Sequence, residues 1–215
     1  MANRNAERKL EDYSSALRSK LDAAGYFHAK CKEIVQRLPE AIGREERLED
    51  LPLSIDESLI AQAQVFLECF FYFTTSALDI LAKLSRELFP RSRRAMGSRY
   101  FKQTINFFTT IDTKLDPEFT RILKENQDWI LEIYRNRDLW AHSGAAFVLY
   151  ADEEGNIVFD NHRSLQDLPT YLDRVIIRLE NFLTSCITQF RTMVPETDST
   201  RRMRKALRSS SKPDS

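Results

Sequence analysis

DESLIAQAQVFLECFFYFTTSALDILAKLSREL, residues 56–88, decides the fold. Leu59, Ile60, Ala63, Val65, Phe66, Leu67, Phe70, Phe71, Phe73, Leu78, Ile80, Leu81 and Leu84 leave it almost no polar side. Ser54 or Asp56 can cap its start, and Pro90 stops a helix at about Leu88. A helix apolar nearly all round is covered on most sides, by neighbouring helices or by a second subunit. This stretch is expected to be the central helix of an all-α protein.

The flanking sequence supplies the cover. Residues 5–37 place Leu10, Tyr13, Leu17, Leu21, Ala24, Phe27, Cys31, Ile34 and Val35 at steps of three and four, which marks one face of a long helix interrupted at Gly25. Residues 38–55 read as a surface connection, with room for a short helical turn within Glu40–Glu49. A basic connection, RSRRAMGSR at 91–99, leads to a helix over about 98–112, and Pro117 opens another that runs to about Ala141. Phe147–Tyr150 and Ile157–Phe159 then flank DEEGN, which predicts a β-hairpin near 147–159. Two strands do not stand alone, so the hairpin is expected to pack on the helical body. A last helix covers about 165–193, burying Leu168, Tyr171, Leu172, Val175, Ile176, Leu179, Phe182, Leu183, Ile187 and Phe190. Residues 1–195 are expected to form one helical domain. Residues 196–215 are expected to form a basic, disordered tail, which from Arg201 to Ser215 carries Arg201, Arg202, Arg204, Lys205, Arg208 and Lys212 against Asp214 alone.

Composition agrees with helices. Five glycines and seven prolines in 215 residues are too few for the turns of a sandwich or barrel, and fourteen phenylalanines load the interior. Thirty-two basic and thirty-two acidic side chains cancel, so any RNA contact has to come from a local patch. Cys31, Cys69 and Cys186 are far apart and form no CxxC pair; they read as buried free thiols of a reducing compartment. The polar N-terminus has no apolar signal core. The longest apolar run, Val65–Phe73, contains Glu68 and falls short of a bilayer span, so a cytoplasmic protein without membrane contact is expected.

The candidate chemistry lies in RNRDLWAHSG, residues 135–144. Four residues separate Arg137 from His142, and Asp138 follows that arginine; six separate Arg135 from the same histidine, and Asn136 follows. A histidine exchanges protons near neutral pH, and a guanidinium offers a fixed charge and a planar fork to phosphate oxygens. Asp138 or Asn136 can orient either group through a hydrogen bond. At about 100° per residue, Arg135, Leu139 and His142 share one helix face, whereas Arg137 lies about 140° from His142 unless the helix unwinds near Ser143. Arg137 is favoured and Arg135 competes with it. An Arg and a His near a helix C-terminus also satisfy the helix dipole without any chemistry.

This segment resembles the arginine–histidine motif of HEPN ribonucleases, in which an arginine followed by a polar residue precedes a histidine by four to six residues. The resemblance implies an up-and-down helical bundle with the motif late in a long helix. It implies metal-independent cleavage of RNA, in which a 2′-OH attacks the phosphate to leave a 2′,3′-cyclic phosphate and a 5′-hydroxyl. One His142 per chain is too few for acid–base cleavage, so the resemblance also implies a homodimer with facing motifs. Within such a family the protein is a toxin or defence component with an antitoxin or other protein partner, or a non-catalytic interaction or nucleic-acid-binding module.

Three further features complete the reading. Glu68, Tyr72, Thr75 and Asp79 form a polar stripe on the central helix, facing either solvent or the motif helix, where Glu68 or Asp79 would support Arg137 or His142. Arg91, Arg93, Arg94, Arg99 and Lys102, with Tyr100 and Phe101, form either an RNA-binding patch or a solvated loop. His28 and His162 have no partners at metal spacing, so neither a metal nor another cofactor is expected. Trp129 and Trp140 share a face and read as core or interface.

Overall fold

A computed structural model of the chain describes residues 2–45, 57–97, 100–143, 149–151, 157–160 and 165–194, with side chains over 6–37, 59, 61–97, 100–138 and 167–194. Five helices form the body: α1 (Ala2–Glu45), α2 (Glu57–Leu88), α3 (Phe101–Asn106), α4 (Pro117–Ser143) and α5 (Leu168–Met193). One turn of π-helix, Phe107–Ile111, extends α3.

The four long helices alternate in direction. Lys9 near the start of α1 pairs with Glu87 near the end of α2, while Phe27 stacks on Phe73 with ring centres 5.5 Å apart. Between α2 and α4, Phe89 meets Phe119 and Asp79 meets Tyr134. Between α4 and α5, Asp116 accepts from Gln189, Trp129 packs edge-on against Phe182, and Asn136 reaches Tyr171. His28 and Lys32 of α1 both hold Asp173 of α5, at 2.6 and 2.8 Å, which closes the bundle. The core draws on every helix; Phe70, Phe71, Phe101, Phe108, Phe119, Phe182 and Phe190 are almost wholly buried in it.

The expected fold, all-α with one two-stranded hairpin near 147–159, is corrected. The helical body carries a three-stranded antiparallel sheet, β1 (Leu149–Ala151), β2 (Ile157–Asp160) and β3 (Leu165–Asp167), in the order β1-β2-β3. Tyr150 pairs with Val158, and Phe159 with Gln166. A third strand completes a small meander where two alone are marginal, and β2 lies against α1 and α5. The strand Leu165–Asp167 occupies what the sequence suggests as the first turn of the last helix. That helix begins at Leu168 instead, capped by Asp167, whose carboxylate accepts from the Thr170 amide at 2.9 Å.

Two other boundaries differ. The first helix runs unbroken through Gly25 and beyond Pro39 to Glu45, although a proline inside a helix removes one backbone donor. The region expected as one helix over 98–112 divides into α3 and the π-turn, where the Asp112 amide reaches back to the Phe107 carbonyl at 2.8 Å. The expected tail from 196 lies outside the described residues.

By length and composition, Ala61–Leu88 would suffice to cross a bilayer. In the fold, Leu67, Phe70, Phe71, Leu78 and Leu81 turn their apolar surface into the bundle, while Glu68 and Lys83 face outward. The same segment therefore serves as the core helix that its apolar pattern suggests.

A methyl group added at Gly25 meets no atom within 4 Å. Glycine inside a helix costs roughly 0.5–1 kcal/mol relative to alanine. Gly25→Ala is expected to stabilise the protein by about that amount. A urea titration that shows no gain in midpoint would mean that α1 bends or opens at this residue.

Candidate functional site

Asp116 sets the start of α4. Its carboxylate accepts from the Phe119 amide at 3.0 Å and from Gln189 at 3.0 and 3.1 Å, just ahead of Pro117. Phe119, Ile122, Leu123, Ile130, Ile133 and Tyr134 then hold the helix in the core. Its last turns bear the arginine–histidine segment with the phase this burial dictates.

Helical phase sends neighbouring motif residues to different surroundings. Arg135 is exposed. Asn136 is 2% exposed and donates to the Tyr171 hydroxyl at 2.9 Å. Burial and the Glu132 carboxylate push that hydroxyl above the ordinary tyrosine range. Arg137 turns toward α2; its side chain is 29% exposed, and its Nη1 donates to Asp138 at 3.1 Å. Asp138 also faces Lys102 Nζ at 3.7 Å.

Asp79 completes this inward cluster. Its Oδ1 accepts from the Tyr134 hydroxyl and, at 3.1 Å, from the backbone amide of Phe101 at the start of α3. Burial raises its pKa, opposed by those two donors and by the nearby charges of Arg137 and Lys83. Arg137, Lys102 and Lys83 thus stand around Asp79 and Asp138, so each positive group here has an acidic neighbour. Acidic neighbours so close weaken the cluster's attraction for a phosphate.

The outward side of α4 is different. The helix continues through Ser143, so residue 142 lies seven positions beyond Arg135 and within about 20° of its phase. The side chains of His142 and Trp140 lie outside the described residues, as does His162. The helix does not unwind before 143, the condition under which His142 would turn toward Arg137.

The remaining sequence candidates scatter. Along the polar stripe, Glu68 and Tyr72 face solvent, Thr75 is buried and bonds back to the Phe71 carbonyl, and Asp79 bonds to Tyr134 of the motif helix. In the basic segment, Arg91 and Arg94 are exposed, while Arg93 lies 3.2 Å from Glu87, which Lys9 also holds. Arg99 lies outside the described residues. Lys102 sits 5.8 Å from the centre of the Tyr100 ring, but Phe101 is wholly buried and unable to stack on a base. Trp129 is 8% exposed and bonds to Asn126. Cys31 and Cys186 are buried, and Cys69 is half-buried; burial pushes the Cys31 thiol up to about 12, which suppresses its reactivity. Among the described residues, no three His, Cys, Asp or Glu side chains gather as metal ligands do.

Sequence reasoning missed four residues around the motif. Tyr134 and Tyr171 anchor it on both sides, and Arg174 and Arg178 line a shallow pocket of about 160 Å³ between α4 and α5. Tyr134 immediately precedes Arg135 and was legible as a core position. The pairing of Asn136 with Tyr171 spans 35 residues and has no local signal.

No protein-family model, curated protein or solved structure matches the chain.

The raised pKa of Asp79 fixes the sign of a pH effect. The folded protein holds this proton more tightly than the unfolded chain, so the stability it contributes is full below the ordinary aspartate value of 3.8. That contribution falls as pH rises through the raised value. Asp79→Asn accepts the same hydrogen bonds without ionising, so wild type should lose stability relative to it between pH 4 and pH 7. Urea midpoints at the two pH values test this, and a constant gap between the proteins would refute it.

Proposed function

We propose that the chain is a metal-independent endoribonuclease resembling the HEPN type, with a composite site formed by two copies. Arg135, rather than Arg137, is the arginine that works with His142. One observation carries this assignment: α4 is unbroken through Ser143, which keeps position 142 in phase with the exposed Arg135. Arg137 is meanwhile engaged among Asp138, Asp79 and Lys102.

In this reading Arg135 neutralises charge building on the scissile phosphate. His142 of one copy takes the proton from the 2′-OH as that oxygen attacks phosphorus. His142 of the other copy gives a proton to the departing 5′-oxygen. The bond from phosphorus to the 5′-oxygen breaks, leaving a 2′,3′-cyclic phosphate and a 5′-hydroxyl. Asn136, Arg137 and Asp138 fix the end of α4 so that the outward pair is presented at a constant angle.

The alternative, a non-catalytic nucleic-acid-binding module, draws on the same inward engagement, since three of the motif's polar residues have a structural role. Cleavage of a single-stranded RNA oligonucleotide with chelator present separates the two. His142→Ala and Arg135→Ala are each expected to lower the rate by about 10²-fold or more. Arg137→Ala should act chiefly through thermal stability. Cleavage that survives His142→Ala, or that requires added metal, would overturn the mechanism; RNA binding with no cleavage by wild type would favour the module.

A further inference from the structure

We propose that the pocket between α4 and α5 is a phosphate-binding subsite for the backbone of single-stranded RNA, with Arg178 as its principal contact. The inference rests on the ribonuclease reading for the class of ligand. The pocket, about 160 Å³, is lined by Trp129, Glu132, Tyr171, Arg174, Val175 and Arg178. It begins beside the motif, because Tyr171 is the residue that holds Asn136.

Its lining selects a phosphate over a base. Stacking needs an open ring face, and neither aromatic residue offers one. Trp129 is 8% exposed and packed edge-on against Phe182, with ring centres 5.9 Å apart. Tyr171 is 2% exposed, with the Arg174 guanidinium 5.4 Å over its ring and Phe71 on it at 6.3 Å. What the pocket exposes is charge: Arg174 and Arg178 are exposed side chains on its α5 wall.

Two arginines against Glu132 leave the lining net positive by one. Glu132 also acts on the Tyr171 hydroxyl. Arg174 and Arg178 are one helical turn apart, about 6 Å along α5. Arg135 is exposed and lies three residues beyond Glu132, about 60° round α4 and one turn nearer the end of the motif. A backbone bound at Arg178 would extend toward Arg135. The inward cluster around Arg137 differs in having two acidic groups, Asp79 and Asp138, in its midst.

Binding of a fluorescein-labelled oligouridylate to the full chain, measured across a salt series, tests the site. Arg178→Ala is expected to weaken binding about fivefold and to lower the slope of log K against log salt by about 0.7, the value for one lost contact to a single strand. Arg178→Glu should weaken it further, and Arg178→Lys should stay within about twofold of wild type, because it retains the charge. Wild-type affinity and slope in Arg178→Ala would overturn the inference. If His142→Ala abolishes cleavage while Arg178→Ala binds normally, this subsite fails and the ribonuclease reading stands. If no protein cleaves but Arg178→Ala shows the reduced slope, the subsite stands without the catalyst.

Discussion

The carboxylate of Asp79 joins three helices through one atom. It projects from α2, accepts the first amide of α3 at Phe101, and accepts the hydroxyl of Tyr134 on α4. A half-buried carboxylate is costly without such donors, and each donor would be left without its acceptor if Asp79 were removed. Tyr100, at the cap position of α3, supplies no side-chain acceptor of its own, so α2 does this for it. The joint therefore fixes where α3 begins and the rotation of α4 about its axis. The direction in which each motif residue points depends on that rotation.

Once Tyr134 faces α2, the four following residues have no freedom in direction. Steps of about 100° turn Arg135 to solvent, Asn136 to α5 and Arg137 back toward α2. Opposite ends of the buried arc are then tied by two tyrosines, Tyr134 to Asp79 and Tyr171 to Asn136. Sequence spacing alone treats Arg135 and Arg137 as equivalent alternatives. Tertiary anchoring makes them unlike: one is surrounded by acidic groups, the other faces outward on the phase of residue 142.

Elements with a strong repeating pattern were legible because burial imposes the repeat. The steps of three and four in α1, the apolar mass of α2 and the starts signalled by Pro117 follow from side chains that have to be covered. The extension of α1 past Pro39 was hidden, since a proline there argues for a break on local grounds. Leu165–Asp167 is too short for alternation to mark it as a strand, and it pairs with β2 only once the chain has folded back. Of the site, the segment at 135–142 could be found from spacing, but not which arginine is presented. That depends on Asp79, 55 residues before Tyr134. Glu68 shows the same limit: it shares a stripe with Asp79 in sequence and faces solvent in the fold.

A chain with no net charge constrains where an anion can approach, since long-range attraction is absent and local surfaces decide. Around the end of α4 those surfaces are unequal. Toward α3, Lys102 is opposed by Asp138, and Arg137 by the same aspartate and by Asp79. Further along that side, Arg93 is held by Glu87, whose pKa is lowered chiefly by Lys9 and also by the arginines near it. Toward α5, Arg174 and Arg178 meet one carboxylate at the pocket, Glu132. An anion approaching this end of α4 therefore meets acidic neighbours interleaved with the cations toward α3 and a single carboxylate in the pocket toward α5. The run at 91–99 keeps Arg91 and Arg94 exposed while the fold gives Arg93 a counter-charge in Glu87, so placement in the fold, and not density in the sequence alone, sets what an anion meets there.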